Sequence, residues 1–309
     1  VLFRSHPEVS GAFGAALVAR EIASDGSSPS SFQGFDTPIE PLSIRTFDCK
    51  ACENHCEIQQ MRIDASRTSF FGSVCGRFEH GQDAPVRPDD AFAIRERLRD
   101  ACARVETPQG VPDRGPIGFP EALSLADHLP FWRTFFSTLG YRIEPSGATD
   151  RDKTALGLAR VPEQFCQPVK VLFGHVHHLL ERGVRRLFVP HLRMMRPEAD
   201  TENRYACPYT QGAPYVVRAQ VAQAFPDAMV VSLEFPVPGE EGSWSTVAAR
   251  VLGLPVAEVG AAMACATAAQ KRFRDACIHA GRELLDRLAR EGRPGAVLLG
   301  RPYNTSDRC

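Results

Sequence analysis

The sequence carries little net charge and no long hydrophobic run. Its 36 Lys and Arg residues nearly balance 37 Asp and Glu, so the formal net charge is −1 over 309 residues. Such a chain has no basic field to hold a nucleic-acid backbone or an anionic membrane, and neither is expected as a partner. No apolar stretch approaches the roughly 20 residues that span a bilayer, and the N-terminus shows no secretory signal pattern. We therefore expect a cytoplasmic protein.

The chain also lacks the short motifs of several common enzyme classes. It contains no G-x-S-x-G, H-E-x-x-H or P-loop, and no G-x-G-x-x-G followed by a suitable helix. Hydrolytic and dinucleotide-dependent reactions therefore lose their usual sequence support. An initiator Met is lacking too: Val1 to Ser5 reads like translated adapter DNA, and Cys309 follows closely on a predicted strand and turn. We expect a fragment that is truncated at both termini.

What is present is the composition of a folded globular protein, with 43 % apolar and 24 % charged residues. A short helix is predicted over residues 8–22, and Asp89 to Val105 predicts a charged helix. The stretch after the first helix is rich in Ser, Gly and Pro without apolar periodicity, which indicates a linker. We divide the chain into residues 6–24, a linker at 25–42, a cysteine-rich module at 43–80, a connecting segment at 81–115 and an α/β domain at 116–309.

The C-terminal two thirds of the chain alternate short apolar strands with amphipathic helices. The predicted strands are Pro116–Phe119, Tyr141–Ile143, Val184–Val189, Ala228–Phe235 and Ala296–Gly300. This rhythm predicts an α/β fold with a Rossmann-like, mostly parallel sheet and flanking helices. Leu129 to Leu139 has the apolar spacing of a core helix that Gly140 would close, and Val256 to Glu291 predicts one long or kinked helix.

The ten cysteines form groups that favour metal ligation. Disulfide frameworks belong to short secreted scaffolds, whereas this chain is large and carries no signal. Cys49-x2-Cys52-x3-Cys56 places three thiolates on one tight loop, and Cys75 supplies a fourth. Four thiolates suit an iron–sulfur cluster or zinc, and the spacing does not choose between them. Because residues 43–80 are poor in aliphatic side chains, we expect this module to depend on its metal for folding.

The residues around Cys75 support the same interpretation. Gly72 and Gly76 let the backbone turn toward a bound metal or sulfide, and Arg77 would offset thiolate charge. His55 lies inside the ligand loop, where four available cysteines make it a neighbour rather than a ligand. A structural zinc knuckle and a set of free thiols are the alternatives to a cluster.

Two further cysteines occur just ahead of predicted helices. Cys166 precedes a helix with Pro168 in its first turn, and Cys207 is followed directly by Pro208. A helix N-terminus stabilises thiolate over thiol, and two such crossings of a parallel sheet would meet at its carboxyl edge. The alternative for each is a buried, inert thiol. The cysteines assigned to packing are Cys102, Cys265 and Cys277.

Other candidate groups have weaker patterns. His175, His177 and His178 fall on one predicted helix, and since no acidic partner shares their face we interpret them as surface histidines rather than metal ligands. Arg301 and Tyr303 follow the last predicted strand. They would meet an anionic ligand in the sheet crevice, or they form an ordinary turn with a surface Arg.

Several motifs in this order resemble one known family, the large acyl-CoA dehydratase activase-related proteins, related to 2-hydroxyacyl-CoA dehydratase activators. The similarity covers nearly the whole chain. Its motifs are Gly11-Ala-Phe-Gly-Ala-Ala16, the Cys49 to Cys75 group with Phe71-Gly-x-x-Cys75-Gly-Arg77, Ile117-Gly-Phe-Pro-Glu-Ala122, Pro130-Phe-Trp-x-x-Phe-Phe136, Cys166-Gln-Pro-x-Lys170, Gly174-His175, Phe188-x-Pro190, Cys207-Pro208 and Leu299-Gly-Arg-Pro-Tyr-Asn304.

The resemblance implies a role for each end of the chain. Residues 6–24 would be the C-terminal remnant of an actin-like ATPase domain, in which Gly11 and Gly14 lie close to the nucleotide, so ATP is an implied cofactor of the full-length protein. Residues 116–309 would be similar to the dehydratase-like component, truncated at the C-terminus.

The same resemblance implies that Cys166 and Cys207 hold an iron–sulfur cluster of the 4Fe-4S kind. Related components have a further cysteine near the position of His191. The implied function is ATP-dependent delivery of low-potential electrons for acyl-CoA chemistry in anaerobic metabolism, with a redox partner protein or an acyl-CoA substrate as partner. If the protein is an enzyme, it would be a reductase or dehydratase-related component. The alternative is a non-enzymatic binding or scaffold module stapled by zinc.

Overall fold

The structure is a computed structural model, and it divides into two compact units. An N-terminal unit comprises residues 1–47 and 57–79, and an α/β unit comprises residues 48–56 and 80–309. The residues that the structure describes are 9–24, 43–50, 55–62, 68–73, 78, 91–104, 110–195, 204–236, 241–295, 297, 300, 301 and 303.

The N-terminal unit contains one helix and a small sheet within its described residues. Helix α1 spans Ser10–Ser24, as predicted, and the strands are β1 (Ser43–Asp48), β2 (Glu57–Arg62) and β3 (Thr68–Phe71) in the order β1-β2-β3. Strands β2 and β3 are antiparallel. Gly72 follows β3 with a φ of +99°, and a Cβ there would lie 2.3 Å from the Glu57 carbonyl oxygen, so only glycine fits. Ile58 alone is buried among the described residues of this unit.

The α/β unit is built on a four-stranded parallel sheet, as the sequence predicts. Its strands are β4 (Pro116–Phe119), β5 (Arg142–Pro145), β6 (Arg186–Phe188) and β7 (Met229–Val231), in the order β5-β4-β6-β7. Each neighbouring pair is parallel. The chain leaves β4 on one side to form β5 and returns on the other side as β6. The strand order therefore reverses between β4 and β6, where open α/β sheets bind ligands at the carboxyl ends of their strands.

The predicted strand bounds hold for β4, whereas β6 and β7 are shorter than predicted. Beyond them the two segments continue side by side through a parallel bridge between His191 and Glu234. Most of the predicted strand at 296–300 lies outside the described residues.

Helices cover both faces of the sheet. They are α2 (Ala91–Cys102), α3 (Ser124–Asp127), α4 (Leu129–Thr138), α5 (Arg151–Arg160), α6 (Gln167–Glu181), α7 (Pro208–Ala224), α8 (Glu241–Leu252) and α9 (Val256–Arg290). The long helix expected from Val256 is a single helix of 35 residues. Within the described residues no single helix is long and apolar enough to cross a membrane, and only α8 and α9 taken together, as a bent pair, pass that test.

Side chains alternate between two core layers, one on each face of the sheet. Phe119 and Phe188 point into an aromatic layer with Trp132 of α4, whose ring centroid lies 4.6 Å from that of Phe188. Leu187 points into the other layer, with the apolar side chains of α6 and α7. Burying one such side chain contributes about 1.5–3 kcal/mol, so these two layers fix the helices on the sheet.

Helix α4 ends where the sequence predicts. Gly140 has a φ of +84°, and its N–H donates to the Ser137 carbonyl while the Tyr141 N–H donates to Phe136, both at 3.0 Å. This is the Schellman arrangement, which needs a residue in the left-handed region. The cap turns the chain directly into β5.

Candidate functional site

Cys166 and Cys207 each occupy the N-cap position of a helix. Cys166 precedes α6 and Cys207 precedes α7, and each helix has a proline at its first or second position. Proline fits there because its fixed φ is helical and its missing N–H would have no partner within the helix. The predicted placement of both cysteines at helix starts is therefore confirmed.

The two helix starts lie side by side at one edge of the sheet. Near their N-termini, the ring of Phe165 meets the ring of Tyr209 edge to face with centroids 5.3 Å apart. Farther along, His177 of α6 is hydrogen-bonded to Gln220 of α7 at 3.2 Å. The helices are thus parallel neighbours, and since α6 leads into β6 and α7 leads into β7, both N-termini lie at the carboxyl edge. The structure brings the Cys166 and Cys207 positions into one neighbourhood.

The groups around Cys207 change the pKa of its thiol. Burial raises the pKa of the Cys207 thiol, but the backbone N–H groups of Tyr209 and Thr210 and the guanidinium of Arg301 outweigh burial, so its pKa is lowered from the ordinary value of 9.0. The two amides are among those that a helix leaves without partners in its first turn. Cys166 is exposed to solvent at the start of α6. This edge of the sheet therefore presents one accessible thiol and one thiol whose pKa is lowered.

Arg301 reaches Cys207 from a distant part of the chain. Its Nη1 donates to the Tyr303 hydroxyl at 3.2 Å, and its positive charge contributes to lowering the pKa of the Cys207 thiol. Tyr303 is only 8 % exposed and packs in the core layer beside α6 and α7. The sequence offered Arg301 and Tyr303 as an anion-binding pair or a plain turn, and the pairing with Cys207 was missed. No spacing pattern marks it, because the two residues are far apart along the chain.

The strand order reverses between β4 and β6, and the segments that follow these two strands carry Leu123 and His191. After β4, Leu123 is buried with a φ of +52°, a conformation that costs a non-glycine residue roughly 1–3 kcal/mol. After β6, the ring of His191 meets the ring of Tyr215 on α7, with centroids 5.4 Å apart. His191 thus lies next to the helix that begins at Cys207, where the resemblance places a further cysteine in related proteins.

His175 is buried rather than exposed, so the expectation of surface histidines on α6 is wrong for it. Its Nδ1 lies 2.6 Å from Ser146 Oγ and its Nε2 lies 2.9 Å from Thr149 Oγ1. Ser146 Oγ already accepts from the Glu121 N–H at 2.8 Å, so its own proton can donate to Nδ1. Burial, followed by the nearby Lys153 ammonium, lowers the pKa of His175 to about 3. This neutral imidazole ties the loops after β4 and β5 to α6.

His177 is buried as well, and its position reverses the same expectation. It is 3 % exposed, and its pKa is lowered chiefly by burial. That these histidines are not metal ligands stays a prediction.

The cysteine-rich loop is described in part. The Cys49 N–H donates to the Cys56 carbonyl at 2.8 Å, and Cys49 is buried while Cys56 is half-buried. His55, next to Cys56, has a φ of +43°, which turns the chain sharply. Cys52 and Cys75 lie outside the described residues. Among the residues that are described, no group of three or more Cys, His, Asp or Glu side chains is placed to hold a metal ion.

The other residues singled out in the sequence are two glycines of α1 and the cysteines assigned to packing. Gly11 and Gly14 lie on α1, and a Cβ at either would meet nothing within 4 Å. Their role in nucleotide binding stays a prediction. Of the cysteines assigned to packing, Cys277 is half-buried with a pKa raised by burial, and Cys265 is exposed on α9.

The fold and the paired helix starts define a doubly wound α/β protein whose sheet edge carries thiols. A family model described as "CoA enzyme activase uncharacterised domain (DUF2229)" matches residues 116–309. The chain therefore belongs to this family, which confirms the resemblance to acyl-CoA dehydratase activase-related proteins over those residues. No curated protein and no solved structure matches the chain.

Proposed function

We propose that this protein is an iron–sulfur electron carrier related to the ATP-dependent activator system of 2-hydroxyacyl-CoA dehydratases, delivering low-potential electrons for acyl-CoA chemistry. Its family supports an activator-related role in acyl-CoA metabolism. The single observation that carries the electron-transfer part is the state of Cys207. Cys207 is the N-cap residue of α7, its thiol pKa is lowered by the Tyr209 and Thr210 N–H groups and by Arg301, and the neighbouring helix start presents Cys166.

The two thiols at this edge are donors of the kind that iron–sulfur clusters bind. A cysteine binds iron as the thiolate. When the pKa of the thiol is lowered, forming that thiolate costs less free energy. Hydrogen bonds to ligand sulfurs are also the usual protein device for tuning a cluster. Cys166 and Cys207 would be ligands here, and His191 lies close to the same helix. Cys49, Cys52, Cys56 and Cys75 would hold a second metal group.

The chain's own residues would have three tasks in such a mechanism. A bound cluster supplies one-electron exchange over a wide range of potentials. The amides of Tyr209 and Thr210, with Arg301, offset the negative charge that accumulates on the Cys207 sulfur. The apolar layer under α6 and α7 holds both helix starts in fixed positions. An acyl-CoA or a redox partner would approach the thiols at the carboxyl edge, where open α/β sheets bind their ligands.

Measuring the content of iron and acid-labile sulfide per chain tests the proposal directly. The protein is purified without oxygen and reconstituted with ferrous iron and sulfide, and we expect brown protein with charge-transfer absorption in the visible range. Cys207→Ser is expected to lose iron, since it removes a proposed ligand whose thiol pKa is lowered. Cys265→Ser, an exposed cysteine on α9, is the matched control and should retain it. A colourless, iron-free and zinc-loaded wild-type protein would refute the electron-carrier proposal.

The N-terminal unit supports a second candidate, a zinc-stapled binding module. Among the described residues of that unit Ile58 alone is buried, so those residues contribute little hydrophobic core. A structural metal would then supply folding free energy. Metal analysis of Cys49→Ser discriminates between the two: loss of zinc together with loss of folding, and no redox signal at any stage, favours the binding module.

A further inference from the structure

The exposed side of helix α9 changes from small and uncharged to charged along one continuous helix. Opposite the side chains that pack on the aromatic layer, its first half carries an alanine face formed by Ala257, Ala261, Ala264 and Ala268. In the second half the exposed residues include Lys271, Arg272, Asp275, Arg282, Asp286 and Arg290. We propose that the alanine face packs antiparallel against the same face of a second copy of this chain. This interface goes beyond the proposed function and does not depend on a bound metal.

Helix α8 and the first half of α9 are apolar on both sides. One side of each helix packs in the aromatic core layer. On the other side Val247 and Val251, on successive turns of α8, are 58 % and 52 % exposed, and Val256 at the start of α9 is 48 % exposed. This composition is why α8 and α9 pass the test for a membrane span as a bent pair. A helix face in water normally carries charged residues, as the second half of α9 does, so we infer that the apolar face is covered.

The spacing of the alanines suits a two-fold axis. Positions 257, 261, 264 and 268 are separated by four, three and four residues, so the pattern is the same in both directions along the helix. An antiparallel copy centred between Ala261 and Ala264 therefore places each alanine opposite an alanine. Symmetric dimers need such a self-complementary face. Alanine side chains also let two helices approach to about 8 Å between axes.

Charges at the two ends of the alanine face select a second copy in the antiparallel direction. Glu258 flanks the first end, and its side chain is 48 % exposed even in its pair with Arg114. Arg272 is exposed beyond the other end, on the same flank of the helix. In an antiparallel pair Arg272 of one copy approaches Glu258 of the other, and symmetry repeats the contact. A parallel pair would bring like charges together, and a lipid surface offers no such pairing of opposite charges.

Analytical ultracentrifugation of the whole chain over a range of concentrations measures the dissociation constant of the dimer. Ala264→Arg places a guanidinium near the centre of the interface, and we expect it to raise this constant by about a hundredfold or more, because two unpaired charges would be buried in each dimer. Ala289→Arg is the matched control. It adds the same side chain at an exposed position in the charged half of α9, and it should leave the dissociation constant unchanged.

A charge exchange tests the direction of packing. Glu258→Lys and Arg272→Glu should each raise the dissociation constant about tenfold, since like charges then meet at both ends of the interface. The double variant Glu258→Lys/Arg272→Glu restores opposite charges, so its dissociation constant should return to within about threefold of the wild-type value.

Each result supports the interface or overturns it. A wild-type chain that remains monomeric at about 0.1 mM overturns it. If that monomer sediments with phosphatidylglycerol vesicles and Ala264→Arg does not, the face binds lipid instead. A dimer that persists unchanged in Ala264→Arg forms through another surface, which also overturns the inference. If circular dichroism shows Ala264→Arg to be unfolded, the charge exchange decides: recovery in the double variant supports the interface, and no recovery overturns it.

Discussion

Gly174 of α6 lies directly against Lys153 of α5: a Cβ at position 174 would fall 1.8 Å from the Lys153 carbonyl oxygen. The contact is reciprocal, since a Cβ at Gly157 would fall 2.0 Å from the Lys170 carbonyl oxygen. The antiparallel helices α5 and α6 therefore cross backbone to backbone. This close crossing sets the position of α6, whose N-terminus carries Cys166.

We expect Gly174→Ala to destabilise the protein, because the added methyl group would push two backbones apart. Overpacking of this kind costs about 1–3 kcal/mol, and a backbone obstacle puts it at the upper end. The free energy of unfolding by urea measures the effect. Gly212→Ala in α7 is the matched control: a Cβ there meets nothing within 4 Å, so helix propensity should stabilise it slightly. Equal stability of the two variants would contradict the close crossing.

The buried histidines predict a loss of stability in acid. The pKa of His175 falls to about 3 and that of His128 to about 4, in each case chiefly through burial, from an unfolded value near 6.5. Below pH 6.5 the unfolded chain binds protons that the native protein does not. Stability therefore falls as the pH drops from 6.5 toward the folded pKa, by at most about 1.4 kcal/mol per pH unit for each group.

Urea denaturation at several pH values between 7 and 4 checks this slope. His175→Gln should be less stable than wild type at pH 7, since it loses hydrogen bonds to Ser146 and Thr149, but it should show a shallower slope. His279→Gln is the control because His279 is an exposed side chain on α9. A wild-type slope in His175→Gln would show that His175 does not bear the acid sensitivity.

The lowered pKa of Cys207 predicts early alkylation. Although burial raises it, the amides of Tyr209 and Thr210 together with Arg301 hold the pKa below 9.0, so thiolate forms at lower pH than in an ordinary cysteine. In metal-free protein, iodoacetamide labelling of the Cys207 peptide, followed by mass spectrometry, should reach half its maximal rate below pH 9. That midpoint should rise in Arg301→Gln and stay in place in Arg218→Gln.

The ion pair between Asp150 and Lys153 is a further test of the α5 start. The Asp150 carboxylate accepts the Lys153 backbone N–H at 2.8 Å and also contacts the Lys153 ammonium, whose side chain is 8 % exposed. Asp150→Asn keeps a capping side chain but leaves a buried ammonium uncompensated, so we expect a loss of about 3 kcal/mol in the free energy of unfolding.

The double variant Asp150→Asn/Lys153→Met should recover most of that loss, since removing both charges of a buried pair is often nearly neutral. Asp275→Asn breaks the exposed pair with Lys271 and should have no measurable effect. If the double variant is as unstable as Asp150→Asn, the loss arises from the cap and not from the unpaired charge.

Local sequence rules account for much of the fold. Apolar strands alternating with amphipathic helices predict the parallel sheet, and β4 has the predicted bounds. Gly140 predicts the end of α4, since a left-handed cap favours glycine over residues that carry a side chain. Cys166 and Cys207 precede helices because Pro168 and Pro208 suit a first turn. Each of these features depends on neighbours within a few positions along the chain.

Tertiary structure decided what those residues contact. His175 is buried because Ser146 and Thr149, 29 and 26 positions away in the sequence, satisfy its ring nitrogens. Arg301 reaches Cys207 because the core anchors Tyr303 beside α7. The sequence by itself determined the parallel α/β fold, the helix starts and the cysteines that precede them. Only the packing of α5, α6 and α7 decided which donors surround a given thiol, because such contacts join residues that no local periodicity relates.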